Sequence, residues 1–363
     1  MYIENDKISN RQNFRLYVFD LIGIATLILP PILARICGMD GVISIFIGAL
    51  ASLGYLMYLR WTMRKMQTDF ICFLREHVHP WVGKGILCFI GVHCIFTSGF
   101  CAFVFTKLMR YSLVSDTSYH FILLVIIVTA VYAVRGGIEC RARVYEVLFW
   151  FVLIPYMAMM LVSTRGVKLR YLSGFFETDW LDVLKGGYLV FLLMTPLFFS
   201  LFLKEREEKG GKIFIGAIRK AVILASIILL GSYVLLVGNF GGRALSTMQF
   251  PVVTLMSTIQ FEGTFVKRMD ALMLSVWFFT LFALLNLHLH YAKKMLKEVF
   301  RKQKSEIKEL VISAAGCYLI ASVMESDENW MHLFFDYYLY VATPFMLILP
   351  IVVLMIRRCK CEK

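Results

Sequence analysis

The chain is a succession of long apolar runs separated by short stretches rich in Arg and Lys. A helix that crosses a bilayer needs about 20 mostly apolar residues. Ten runs approach or reach that length: Phe14–Ile36, Gly41–Tyr58, Ile86–Leu108, Tyr119–Val134, Val144–Val162, Leu181–Leu203, Ala217–Val237, Ala271–His290, Leu310–Met324 and Leu333–Ile356. Two of them are interrupted. The first carries Gly23-Ile24-Ala25-Thr26 at mid-depth and Pro30-Pro31 one turn later; the sixth carries Gly186-Gly187 near its start and Thr195-Pro196 in its interior. Proline removes a backbone donor and clashes with the preceding turn. Lipid supplies no replacement partner, so backbone that leaves the helix at that depth faces protein or a water-filled cavity.

Ten spans divide into five plus five, and an odd number per half inverts the second half in the membrane. Span six then corresponds to span one, and corresponding spans are both interrupted, which points to a transporter-like binding site at the midplane. The expected fold is an all-α integral membrane protein with ten transmembrane helices, a five-plus-five inverted repeat with broken first and sixth helices. It forms a single transmembrane domain over residues 1–363. Repeat 1 covers about residues 8–163 and repeat 2 about 178–358, with boundaries good to a few residues. Between spans seven and eight, FPVVTLMSTIQFEG is apolar enough to form a short helix over the mouth of the bundle.

Composition agrees with a membrane protein. Hydrophobic residues make up 59% and charged residues only 17% of the 363, against about 25% charged in soluble domains; the mean hydropathy is +0.72. The first apolar run is too long for a secretory signal and has no small-residue cleavage site after it. With the N-terminus placed in the cytoplasm, most of the 38 basic residues fall in inward-facing segments. The positive-inside rule then sets both termini in the cytoplasm. The net charge of +13 reads as orientation signal and contact with anionic membrane lipid, with no nucleic acid required. The nine cysteines are scattered, and none forms a zinc-type pair. No metal-ligand cluster, nucleophile elbow or paired acids emerges, so no cofactor, metal or catalytic residue is assigned and an enzyme is not expected.

The candidate chemistry is that of a small-molecule pocket. Opened backbone at Gly23, Ala25 and Thr26 would offer amides and carbonyls to a small zwitterion. Leu193 and Thr195 of span six would face the same space, with Thr97 and Ser98 of span three. Thr280 and Leu284 of span eight, four residues apart, share a helix face. Each hydroxyl has a plainer alternative, a hydrogen bond to the carbonyl four residues back. Asp20 lies about 9 Å into the first span. An intramembrane carboxylate is a functional candidate by default: a proton or sodium site, or a partner for His93. Asp336, beside Tyr337, Tyr338 and Tyr340, reads as part of an interfacial belt. His288 and His290, next to Lys293 and Lys294, read as interfacial too.

Three stretches carry a resemblance. ISNRQNFRLYVFDLIGIATLILPPILARICGMDGVIS (Ile8–Ser44), GGIECRARVYEVLFW (Gly136–Trp150) and FPVVTLMSTIQFEGTFVKRMDALMLSVWFFTLF (Phe250–Phe282), with its Arg268–Asp270 pair and Trp277, occur in the order and spacing of one family. The chain resembles the B subunits of spore germinant receptors, the spore germination permeases within the amino acid–polyamine–organocation transporter superfamily. The resemblance implies a subunit of a spore's inner membrane that senses a small nutrient germinant, an amino acid foremost. It implies A-type and C-type receptor subunits as partners, and a pocket lined by Gly23, Ala25, Thr26, Thr97, Ser98, Leu193, Thr195, Thr280 and Leu284. Asp40-Gly41-Val42 departs from the Asp-Ala-Trp common in that family, which predicts a weaker interfacial anchor. Asp20 is unusual for the family and leaves ion coupling open. The alternative on the same fold is a proton- or sodium-coupled amino-acid transporter.

Overall fold

The structure is a computed structural model that describes residues 8–66, 69–202, 211–258, 269–300, 306–326 and 329–361. Arg268, the loop residues 203–210 and the second half of the segment before span eight lie outside the described residues. The elements are α1 (Asn10–Cys37), α2 (Gly41–Met66), α3 (Phe70–His77), α4 (Pro80–Ser112), α5 (Tyr119–Arg135), α6 (Gly137–Ser163), α7 (Trp180–Leu193), α8 (Gly211–Phe240), α9 (Gly242–Leu245), α10 (Pro251–Thr258), α11 (Met269–Phe300), α12 (Glu306–Ser326), α13 (Trp330–Tyr337) and α14 (Thr343–Cys361). A 3-10 segment, Thr195–Phe202, follows α7, and a π turn, Tyr338–Ala342, joins α13 to α14. Helical segments lie at each of the ten expected positions, the sixth made of α7 and the 3-10 segment and the tenth of α13, the π turn and α14. Among the described residues, eight apolar helical stretches meet membrane-crossing length, the first of them running through both α1 and α2; α5 is shorter.

Local sequence explains where α1 starts and how it lies. Ser9 caps it: the Ser9 hydroxyl accepts from the Gln12 amide at 3.3 Å, and the Gln12 side chain accepts from the Ser9 amide at 2.9 Å. This capping box satisfies two of the helix's orphan donors. α1 is the central element, with 94% of its apolar window buried. It packs on α8, α11, α6 and α7, while α2 pairs with α7 and α4 with α11 and α12. α2 and α7 touch backbone to backbone: a Cβ at Gly48 would lie 2.6 Å from the Gly187 carbonyl oxygen. α6 and α12 are only 33% buried over their windows. Their outward side chains, Val147 and Leu161 on α6 and Leu319 and Val323 on α12 among them, present apolar surface of the kind lipid covers.

The two interruptions resolve differently. Span six is broken as expected: α7 ends at Leu193 and the chain continues as the 3-10 segment from Thr195. Span one is not broken. α1 runs as one α-helix through Gly23–Thr26 and on through Pro30 and Pro31. The segment is buried nearly throughout and stays helical across both prolines. Pro30 and Pro31 have no N–H to give the carbonyls four residues earlier, so the carbonyls of Thr26 and Leu27 lose their helical donors.

At the basic end of the bundle Arg11 and Arg15 pair with Glu146, and Arg75 with Glu298. At the opposite end Asp40 is buried beneath the connection from α6 to α7. It accepts from the Phe176 amide at 2.7 Å and the Thr178 amide at 3.0 Å. Asp40 is thus held by partners from a loop far along the chain. The short helix expected after α8 is present as α10, packed on α1, α8 and α11.

Candidate ligand-binding site

The fold brings the predicted residues into two groups. In the first, α1 meets α11. A Cβ at Gly23 would lie 2.9 Å from Thr280 Cβ, so only glycine permits this approach. Thr26 Oγ1 donates to the Ile22 carbonyl (3.0 Å) and accepts from Trp277 Nε1 (3.1 Å). Thr280 Oγ1 donates to the Val276 carbonyl at 2.9 Å. Both threonines thus make the local bonds that hydroxyls in helices favour, and Thr26 keeps a lone pair for a second helix. The Thr26 and Leu27 carbonyls freed by the prolines lie in the same stretch of α1, and α1 packs on the 3-10 segment. Ala25 is buried within α1, and Leu284 lies one turn beyond Thr280.

The second group joins α4, the break after α7 and the turn after α13. Thr97 Oγ1 and the Tyr338 hydroxyl lie 3.0 Å apart, and Thr195 also interacts with that hydroxyl. Leu193, the last residue of α7, is buried beside the break. Ser98 turns away: it donates to the Ile95 carbonyl at 2.8 Å and meets Cys317 of α12.

The ionisable candidates find partners other than those expected. Asp20 is ion-paired with Arg141 at the start of α6, not with His93. Arg141 also donates to the Ala283 carbonyl of α11 at 3.1 Å. The pair therefore ties α1, α6 and α11 together, with Tyr17 and Tyr145 beside it. His93 Nδ1 lies 3.0 Å from the Tyr337 hydroxyl, and its ring centroid is 6.2 Å from that of His288. His288 is buried within the bundle, on an α11 that continues to Phe300, with Nδ1 2.9 Å from the Leu284 carbonyl oxygen. Asp336 is exposed, as its interfacial reading expects, but Tyr338 is buried.

A cavity of about 20 Å³, the space of one water molecule, sits between α1, α6 and α11. Its wall is apolar save for Thr280 and Tyr156. The residues missed from sequence are Trp277 as a partner of Thr26, Arg141 and Tyr338. Arg141 looked like one more loop cation, and Tyr338 like one more belt tyrosine.

The solved structures that resemble this arrangement, a proline-bearing central helix packed on a buried 3-10 segment, are LeuT-fold transporters. MhsT in complex with L-phenylalanine matches with a TM-score of 0.69 at 14% identity, over 96% of this chain and 88% of that one. A substrate-bound, outward-open Na+-coupled sialic acid symporter matches at 0.63 and 10% identity, over 96% and 78%. Identities this low carry the fold alone. Sequence narrows the class: residues 7–330 match the family described as spore germination protein, and the chain belongs to it. Its relatives include Bacillus subtilis (strain 168) spore germination protein YndE, 20% identical over 99% of this chain and 98% of that one. Spore germination protein B2 of the same organism is 25% identical over 64% and 62%. The chain is thus an integral membrane protein.

Proposed function

We propose that this chain is a nutrient-sensing subunit: a small germinant, an amino acid, binds between α1, α4, the break after α7 and α11. The feature that supports the reading is that α1, in which two carbonyls lack helical donors, packs on the 3-10 segment that follows the end of α7. An ammonium group finds acceptors at those carbonyls, and hydroxyls at Thr97, Thr195 and Thr280 orient the remainder. Binding shifts a conformational equilibrium only through differential affinity for its two states. A-type and C-type receptor subunits read that shift in the spore's inner membrane, with both termini on the cytoplasmic side. No enzymatic step is proposed.

The test is the melting temperature of the purified protein against a panel of amino acids, sugars and nucleosides. A ligand that binds only the folded state at 100 times its Kd adds about 2.7 kcal/mol. One small amino acid should raise the melting temperature, and Thr195→Val should abolish the rise. No rise with any compound, for the chain alone and co-expressed with its A-type and C-type subunits, would refute the reading.

A second reading, coupled amino-acid transport, is favoured by one feature: Asp20 is a carboxylate buried in a span. Breaking a buried ion pair by removing one partner costs about 3–5 kcal/mol, so opening the Asp20–Arg141 tie is a step that protonation could drive. Uptake of the bound amino acid into vesicles, lost in Asp20→Asn, would support transport; absence of uptake at any pH or sodium level would leave sensing.

A further inference from the structure

The tenth span is interrupted in a way the sequence does not announce. α13 ends at Tyr337, and Tyr338–Ala342 winds as a π turn before α14. π turns are rare and concentrate at functional sites, because the wider turn spoils helix geometry and survives where something requires it. Here it aims a phenol inward. Tyr338 is 2% exposed, whereas Tyr340 is 72% exposed. The Tyr338 hydroxyl stands 3.0 Å from Thr97 Oγ1 and interacts with Thr195. One oxygen therefore joins α4 to the break in span six. The neighbouring Tyr337 hydroxyl holds His93 at 3.0 Å.

We propose that Tyr338 is a built-in stopper of the ligand site. Its hydroxyl occupies the place that a hydrogen-bonding group of the nutrient takes, and the π turn is the hinge that withdraws it. The proposal rests on Thr97 and Thr195 lining that site. Absorbing the π turn into regular helix turns α13 against α14 by one residue, about 100°, which carries the ring off Thr97. A ligand that replaces the phenol must itself bring a hydroxyl or ammonium group. A purely apolar one would leave two buried threonine hydroxyls without the partner they now share, which burial penalises. The class this selects is a small amino acid or polyol that places a donor between Thr97 and Thr195.

The experiment needs no nutrient. Thr195→Cys is introduced into the full chain, and its rate of modification by a small water-soluble methanethiosulfonate is followed by mass spectrometry. Adding Tyr338→Phe removes the hydroxyl and keeps the ring. The stopper predicts a rate about tenfold higher, equivalent to about 1.4 kcal/mol, and no change with Tyr340→Phe. Thr97→Cys serves as a second reporter and should respond the same way. Equal rates with and without the Tyr338 hydroxyl at both reporters, in proteins that melt cooperatively, would overturn the stopper. Loss of all ligand-induced stabilisation in the panel above would instead overturn the site itself, so the two failures are distinct.

Discussion

Asp40 is a carboxylate whose role rests on residues more than a hundred positions away. It accepts two backbone amides, and one of them belongs to Phe176, held at a φ of 64°. A non-glycine residue in that region needs its surroundings to over-determine it. Thr178 completes the tie by donating to the Cys37 carbonyl at 2.9 Å. Hydrogen bonds to a charged acceptor are worth about 1.5–3 kcal/mol each. Asp40→Ala should therefore lower the stability of the purified protein by about 2 kcal/mol in thermal or denaturant melts, whereas replacing exposed Asp116 should change it little. None of this was legible in the sequence, where Asp40-Gly41-Val42 read as a weakened anchor. Gly23 repeats the lesson. Its absent side chain looked like an opening in the backbone, and it is a contact surface for Thr280. Which residue faces a glycine is a tertiary fact, outside the reach of local spacing.

The same division holds for whole elements. Apolar length pointed to helical segments at each expected position, because crossing a bilayer imposes a length and a composition. The break in span six was legible from Thr195-Pro196. The continuity of α1 was not, since proline predicts which hydrogen bonds are missing but not whether the segment stays helical among its neighbours. The distinction is testable. Replacing Pro30 and Pro31 with alanine gives the Thr26 and Leu27 carbonyls back their donors. Helix stability should hold or rise, while affinity for the amino acid found in the melting panel should fall at least tenfold. Unchanged affinity would mean that those carbonyls do not bind ligand. The π turn at Tyr338–Ala342 had no sequence mark at all; a run of tyrosines at a span end resembles an interfacial belt, and only burial separates Tyr338 from Tyr340.

At the scale of the molecule, charge carries orientation and packing carries the site. Arg135, Arg141 and Arg143 cluster around the start of α6, where Cys140 is exposed. If that end faces the cytoplasm, a membrane-impermeant maleimide should leave Cys140 unmodified in right-side-out vesicles and label it once they are opened; labelling in sealed vesicles would reverse the orientation. Arg141 shows where the charge pattern stops informing: it counts toward orientation, yet its guanidinium is spent inside the bundle on Asp20 and the Ala283 carbonyl. The measurement that bears most directly on the binding site is a cryo-electron microscopy map of the protein saturated with the stabilising amino acid, compared with the unliganded map. Ligand density should lie between the Thr26–Leu27 carbonyls, Thr97, Thr195 and Thr280, with Tyr338 withdrawn from Thr97. Density elsewhere, with the contacts of Thr26 and Thr97 unaltered, would contradict it.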